Sequence, residues 1–456
     1  MSMMKGFSNA FRIPELRKKI LVTLGLVAVC RLIAHIPTPG VNWQVMQKAA
    51  ESGASAMGGW FDLFTGGAFA QCSIGFLSIW PYISAQIVIQ LLSSIVPSLN
   101  KLRKEGENGR QQLAQITRYL TIVLCLVQSW AIASTLANPA ALAAIGFHVD
   151  APLVEDPGLG FHLMTMIGMT SASLFVMWLA DQITTFGIGN GASLIIMINI
   201  TSRFPQAIYE LYRYCFLMSE TANPARFVLL ILFFILIVMG TVMLTQGVRK
   251  VAIHSTRRSM VAGNTYGMQQ SFMPLRVNYT GVMPIIFAQP LLQIAGWLFG
   301  WLSRGEPGVM NSIAMALRGD PAWVHVIIYG SLIVFFTFFW VATQFNAIEI
   351  SENFKKDGSY VPGIRPGIAT AEYLDDVMTK ITLIGATGLL ILAVLPILIM
   401  SHMHLPWVVA SFFGGTSLLI IVGVALDTLR VMESHLLVRK YEGFLSHGSL
   451  RGRGGV

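Results

Sequence analysis

Charge is scarce in this chain. Only 12% of its 456 residues are Asp, Glu, Lys or Arg, against roughly 25% in an ordinary soluble domain. With 54% of the residues apolar, a soluble fold of this length is excluded. Cysteine is scarce too. Cys30, Cys72, Cys125 and Cys215 are scattered, mostly inside apolar runs and without a CxxC pair, so they read as core residues and imply neither a disulfide framework nor a metal site. There is no Walker P-loop, nucleophile elbow or zinc-ligand spacing. His402 and His404 sit close together near a helix end, where such a pair is more often a bystander than a ligand set. No carboxylate falls at the middle of an apolar block, which argues against a proton- or ion-coupled transporter.

What the chain has instead is apolar blocks of about 20 residues, the length a helix needs to cross roughly 30 Å of hydrocarbon. The blocks are long and lack strict alternation, so they read as helices rather than as the strands of a closed barrel. The expected spans are 20–35, 74–96, 115–136, 162–182, 187–208, 226–246, 279–301, 324–345, 379–400 and 406–427. The first follows a basic N-terminus but runs into Ile36-Pro37-Thr38-Pro39-Gly40 with no small-residue cleavage site, so it is expected to be a retained span. An even number of spans puts both termini on one side.

Positive charge chooses that side. Lys5, Arg12, Arg17, Lys18 and Lys19 precede span one; Lys101, Arg103, Lys104 and Arg110 follow span two; Arg249, Lys250, Arg257, Arg258 and Arg276 follow span six without one acid. The alternate segments are nearly bare of cations, with only Lys48 in 37–73 and none in 137–161. Both termini and the basic loops are therefore expected to be cytoplasmic. The net charge of +9 reads first as topology and attraction to anionic lipid.

Three segments are longer than neighbouring helices need. Cytoplasmic segments 247–278 and 346–378, rich in charge, Gly and Pro, read as exposed turns. The outer segment 41–73 holds a short apolar stretch, Trp60 to Phe69, which is either a re-entrant half-helix or a helix lying on the membrane. The second span is unusually polar, with Ser78, Tyr82, Ser84, Gln86, Gln90, Ser93 and Ser94 around Pro81. Such a helix faces either protein or an aqueous path. Ile79 and Ile83, four apart, share one face as either a constriction or a packing ridge. Arg31, Asp181 and Asp427, near span ends, fit snorkelling as well as an ion relay.

Local motifs then carry a resemblance. Ile36-Pro-Thr-Pro-Gly40, Phe64-Thr-Gly-Gly-Ala68, Ile79-Trp-Pro-Tyr-Ile83-Ser84-Ala85, Lys104-Glu-Gly-Glu-Asn-Gly-Arg110, Gly187-Ile-Gly-Asn-Gly191, Val361-Pro-Gly-Ile-Arg365-Pro-Gly367 and Phe413-Gly-Gly-Thr-Ser-Leu-Leu-Ile420 occur in the order seen in the SecY family. The chain resembles that family of bacterial protein-conducting channels from near residue 30 to the C-tail. The resemblance implies an all-α polytopic membrane protein, with two inverted five-helix halves around a central hourglass pore. It puts the halves at 1–210 and 211–427, followed by a cytoplasmic tail 428–456. The implied function is passage of unfolded preproteins across the cytoplasmic (inner) membrane and lateral release of transmembrane segments into it. No enzymatic step or cofactor is implied. A secondary transporter of a small solute is the alternative.

The resemblance also implies residue roles. Ile79, Ile83, Ala192, Ile196, Met283 and Ile420 map to the apolar ring at the pore's waist, which resists leakage by dewetting. Ala192 departs from the bulky pattern. Residues 60–73 map to the plug, including Phe61, Leu63, Phe64, Gly66 and Gly67. A lateral gate would lie between spans two and three on one side and seven and eight on the other. Arg249, Lys250, Arg257, Arg258, Lys355, Lys356 and Arg365 are the expected docking cations for a SecA motor or for ribosomal RNA phosphates. Partners implied are SecE- and SecG-like small subunits, SecA, the ribosome, signal peptides and nascent chains, and anionic lipids. Where relatives start the first long loop with a Glu-Arg-Gly-like sequence, this chain has Thr245-Gln246-Gly247.

Overall fold

The computed structural model describes residues 13–51, 64–138, 142, 152–154, 156–217, 224–255, 270–303, 308–318, 322–403, 409 and 415–447. The chain divides into two compact units, Met1–Tyr209 with Val424–Val456, and Glu210–Gly423.

The first unit opens with α1 (Pro14–Ile33). Pro14 suits a helix start, where the N–H it lacks would have no intrahelical acceptor. Pro37 and Pro39, just beyond, cannot continue the helix. A short amphipathic helix, α2 (Trp43–Glu51), follows. A 3-10 turn at Ile74–Leu77 leads into α3 (Trp80–Ile95). Pro97 biases Val96 to extended backbone, φ −88° and ψ 117°, and so splits α3 from α4 (Pro97–Lys104). Then come α5 (Glu107–Ala137), α6 (Leu159–Phe186), α7 (Gly191–Ser202) and α8 (Phe204–Tyr212). The single span expected at 187–208 is thus two helices. Pro205 has no N–H to give Thr201, so the turn ladder breaks there.

Helices α5 and α6 pack through small polar residues. Thr117, Thr121, Cys125, Ser129 and Ala133 recur every fourth residue on α5, and all are buried. Ser129 Oγ lies 3.3 Å from Thr170 Oγ1 of α6. Small residues let backbones approach closely where lipid offers no hydrophobic drive between helices.

The second unit holds α9 (Pro224–Gln246), α10 (Met283–Leu302), α11 (Val309–Arg318), α12 (Ala322–Gln344), α13 (Ala347–Lys356), α14 (Ile368–Met403) and the start of α15 (Gly415–His447). Its membrane core gathers Ile237, Ile285, Leu292, Tyr329, Ile333, Leu389 and Leu419. Six described stretches are long and apolar enough to cross a bilayer: 74–93, 107–137, 159–186, 226–246, 323–356 and 368–395. Helices α1, α7, α10 and α15 occupy the other four expected positions.

The long loops correct one expectation. They are not merely exposed turns. Strands β1 (Val248–Ser255), β2 (Gln270–Arg276) and β3 (Ser359–Tyr360) form an antiparallel sheet in the order β2-β1-β3. Its register runs from Val248 opposite Arg276 to His254 opposite Gln270, with His254 also opposite Tyr360. Val251 and Ile253 alternate inward on β1 as Leu275 does on β2. Val251 and Leu275 join a cluster with Val341, Phe345, Val361, Leu374 and Met378. Pro274 is tolerated because β2 is an edge strand. Segment 346–378 is likewise ordered, by α13 and by the first turns of α14.

Candidate functional site

A convergence of polar groups in the first unit surrounds residues 64–67, at the end of the short apolar stretch. Arg31 projects from the last turn of α1. Its Nη2 donates to Gly66 O at 2.9 Å, and its Nη1 donates to Asn199 Oδ1 of α7 at 3.2 Å. Asn199 is 5% exposed, and its Nδ2 donates both to Phe64 O at 3.1 Å and to Ser78 Oγ at 3.2 Å. Ser202 Oγ lies 3.4 Å from Gly66 O and 2.7 Å from Asn199 O. The Phe64 ring sits 6.0 Å from that of Trp80 at the start of α3.

The two glycines are required by this crowding. Gly66 has φ +66°, and a Cβ there would stand 2.3 Å from Arg31 Nη1 and 3.0 Å from Asn199 Cα. Gly67 has φ +100°, and a Cβ would fall 2.9 Å from Arg203 Nη2. Left-handed backbone and close guanidinium approach both exclude side chains. Arg203 also hydrogen-bonds Gln206.

Farther along, the segment is tied by main chain. Thr38 N donates to Cys72 O at 2.9 Å, Ile74 N to Ile36 O at 2.9 Å, and Ser73 Oγ to Ile33 O at 2.9 Å. Phe69, Cys72 and Leu77 belong to a buried cluster with Met46, Leu153, Phe161 and Met169. Cys72 and Ser78, both at φ +47°, are non-glycine residues in left-handed backbone and bracket the 3-10 turn. Burial pushes the Cys72 thiol up to about 12, so it is a protonated, unreactive group.

Expected waist residues lie as follows. Ile79 caps α3 and is one turn from Ile83, whose N–H donates to Ile79 O at 3.2 Å; both side chains are buried. Ala192 and Ile196 lie one turn apart on α7, half-buried and buried. The Asn199–Ser78 bond ties α7, which carries Ala192 and Ile196, to the residue just before Ile79 at the entry to α3. In the second unit Met283 begins α10 and is 38% exposed, whereas Ile420 on α15 is 1% exposed. Of the expected plug residues, Phe64, Gly66 and Gly67 are in the seat just described, while Phe61 and Leu63 lie outside the described residues. Arg249 and Lys250 are exposed on β1, Lys355 and Lys356 at the end of α13, and Arg365 in the turn before α14. Arg257 and Arg258 lie outside the described residues.

Two ionisable residues suspected of a relay have ordinary partners. Asp181 pairs with Arg118 at 2.7 Å and Asp427 with Arg430 at 3.2 Å. Asn199 and Ser202 had no signal in the sequence beyond being polar in an apolar helix. Among the described residues no group of His, Cys, Asp and Glu is arranged to hold a metal ion.

Comparison with known proteins identifies the family. A family model for SecY matches residues 73–429. The protein translocase subunit SecY of Streptomyces coelicolor is 38% identical over 450 residues, covering 97% of this chain and all of that one. Those of Thermotoga maritima and Escherichia coli K12 are each 36% identical, covering 99% and 96% of this chain and 100% and 96% of their own. Among solved structures, one described as a protein conducting channel aligns with TM-score 0.65 at 17% identity over 93% of this chain and 94% of its own. Sec61 in a canine ribosome–channel complex aligns with TM-score 0.61 at 17% identity over the same shares.

Proposed function

The chain belongs to the SecY family of protein-conducting channel subunits, and from that premise we infer how its residues divide the work. The observation that carries the reading is the near full-length identity to translocase subunits from three distant bacteria. The small-solute transporter reading is left without support.

Residues 60–73 act as the plug of the resting channel, whose Phe64 and Gly66 carbonyls are held against α1 and α7 by Arg31 and Asn199. Ile79, Ile83, Ala192, Ile196, Met283 and Ile420 act as the waist. Aliphatic side chains have no fixed polar partners, so they can close around any passing sequence and still exclude water and ions by dewetting. Lateral release is a transfer equilibrium, in which about 20 apolar residues favour hydrocarbon and each central charge opposes it by roughly 2.5–3.5 kcal/mol. No covalent chemistry is required of the channel itself.

The protein resides in the bacterial inner membrane with both termini and the three-stranded sheet in the cytoplasm, as the basic loops favour. Exposed Arg249, Lys250, Lys355, Lys356 and Arg365, with Arg257 and Arg258, offer cations to a SecA motor or to ribosomal phosphate. The likeness to Sec61 in its ribosome complex supports that surface. SecE- and SecG-like subunits and anionic lipids complete the assembly. Crosslinking a stalled precursor to probes at positions 79 and 420 tests the reading. Adducts at both are expected; translocation with no adduct at either position would overturn the waist assignment.

A further inference from the structure

The plug is held by different kinds of bond at its two ends. At residues 72–74 the ties are mainly backbone to backbone, from Thr38 N to Cys72 O and from Ile74 N to Ile36 O, among residues that are nearly solvent-free: Thr38 2%, Cys72 2% and Ser73 0% exposed. Breaking them would strand buried peptide groups. At residues 64–66 the ties to α1 and α7 come from side chains, which can swing away and find other partners.

Arg31 is central to that second set. It bonds Gly66 O directly, and by bonding Asn199 Oδ1 it fixes the amide so that Nδ2 faces Phe64 O and Ser78 Oγ. One guanidinium therefore positions two plug carbonyls, one of them through Asn199. Its planar fork suits this bridging, which a lysine's single ammonium cannot reproduce. We propose that Arg31 is the latch of the plug, with Asn199 as its relay, and that residues 72–74 are a fixed heel about which residues 64–71 swing on opening. This rests on the reading of the segment as a channel plug.

The heel gives the swing a pivot. Cys72 and Ser78 hold left-handed φ values on either side of a 3-10 turn, conformations that persist only when surrounding contacts enforce them. The bonds of Thr38 N to Cys72 O, Ile74 N to Ile36 O and Ser73 Oγ to Ile33 O stay if only residues 64–71 move, whereas those of Cys72 N to Phe69 O and Ser73 N to Ala68 O span the swing.

The test uses full-length protein in membrane vesicles and compares wild type with Arg31→Gln, Arg31→Lys and Asn199→Ala. Hydrogen bonds to charged groups contribute enough that losing this pair should raise the open fraction by roughly tenfold or more. Arg31→Gln is expected to increase resting ion leak and to admit precursors with defective signal sequences, while precursors with intact signals still pass. Arg31→Lys should recover part of the seal. Hydrogen exchange should speed up at residues 64–71 and stay slow at Thr38 and Ile74, whose amides bond Cys72 O and Ile36 O. A misfolded variant cannot gain leak and still export intact precursors, so those outcomes are specific. Should Arg31→Gln be degraded, Asn199→Ala carries the same expectation. Leak and signal stringency equal to wild type in every variant present at normal abundance would overturn the latch, and faster exchange at Thr38 and Ile74 would overturn the heel. Failure of wild-type vesicles to export any precursor would instead overturn the channel reading.

Discussion

In the proposed channel Ile83 and Arg365 carry opposite burdens, one buried to seal and one exposed to dock. Ile83 is 8% exposed, one turn from Ile79, and an amide in its place would bring hydration into the proposed apolar waist. Ile83→Asn is expected to loosen the closed state, read as higher resting conductance and weaker discrimination between good and poor signal sequences. Arg365 is exposed, but its carbonyl accepts Thr370 Oγ1 at 2.8 Å, which steadies the turn before α14. Arg365→Glu reverses the side-chain charge and leaves that main-chain bond intact. It should slow precursor translocation several-fold while membrane abundance stays normal, as measured by export assay and immunoblot. The four-residue spacing of Ile79 and Ile83 was legible in sequence because helix periodicity is local. Arg31 was not. Near the end of an apolar block it reads as a snorkelling cation, and nothing local reveals acceptors that lie 35 and 168 residues away.

At the scale of elements, apolar length located the helices and hid the breaks between them. The split at Pro205 divides a run that hydropathy reads as one span. The sheet was illegible for a related reason. Val248–Ser255 is a short strand with four cationic or polar residues, Arg249, Lys250, His254 and Ser255, and its partners, Gln270–Arg276 and Ser359–Tyr360, are supplied from distant loops. Alternation over so few residues does not stand out from a charged loop. The plug offers the sharpest element-level test. A chain lacking residues 60–71 retains Ser73 and Ile74 and their bonds to 33–36. It is expected to insert normally and leak ions. An ion-tight bilayer containing that chain at wild-type amount would show that another segment closes the channel.

At the scale of the whole molecule, the units are not consecutive in the chain: the first contains both Met1–Tyr209 and Val424–Val456, and the second is Glu210–Gly423. Helix α15 therefore starts in one and finishes in the other. Within the first unit Met432 joins Leu16 and Ile188 in a buried cluster, and Thr428 lies 3.4 Å from the position a Cβ would take at Gly189. A chain ended after Gly423 loses those partners. It is expected to be cleared several-fold faster than the full chain in a pulse-chase experiment, with cleavage near residues 14–20. Synthesis runs from the N-terminus, so the unit begun first is finished last. Until α15 leaves the ribosome, the nascent protein holds most of the second unit and a first unit still lacking Val424–Val456. Quality control that senses the exposed Leu16–Ile188 surface would in effect be reading whether translation had reached its end.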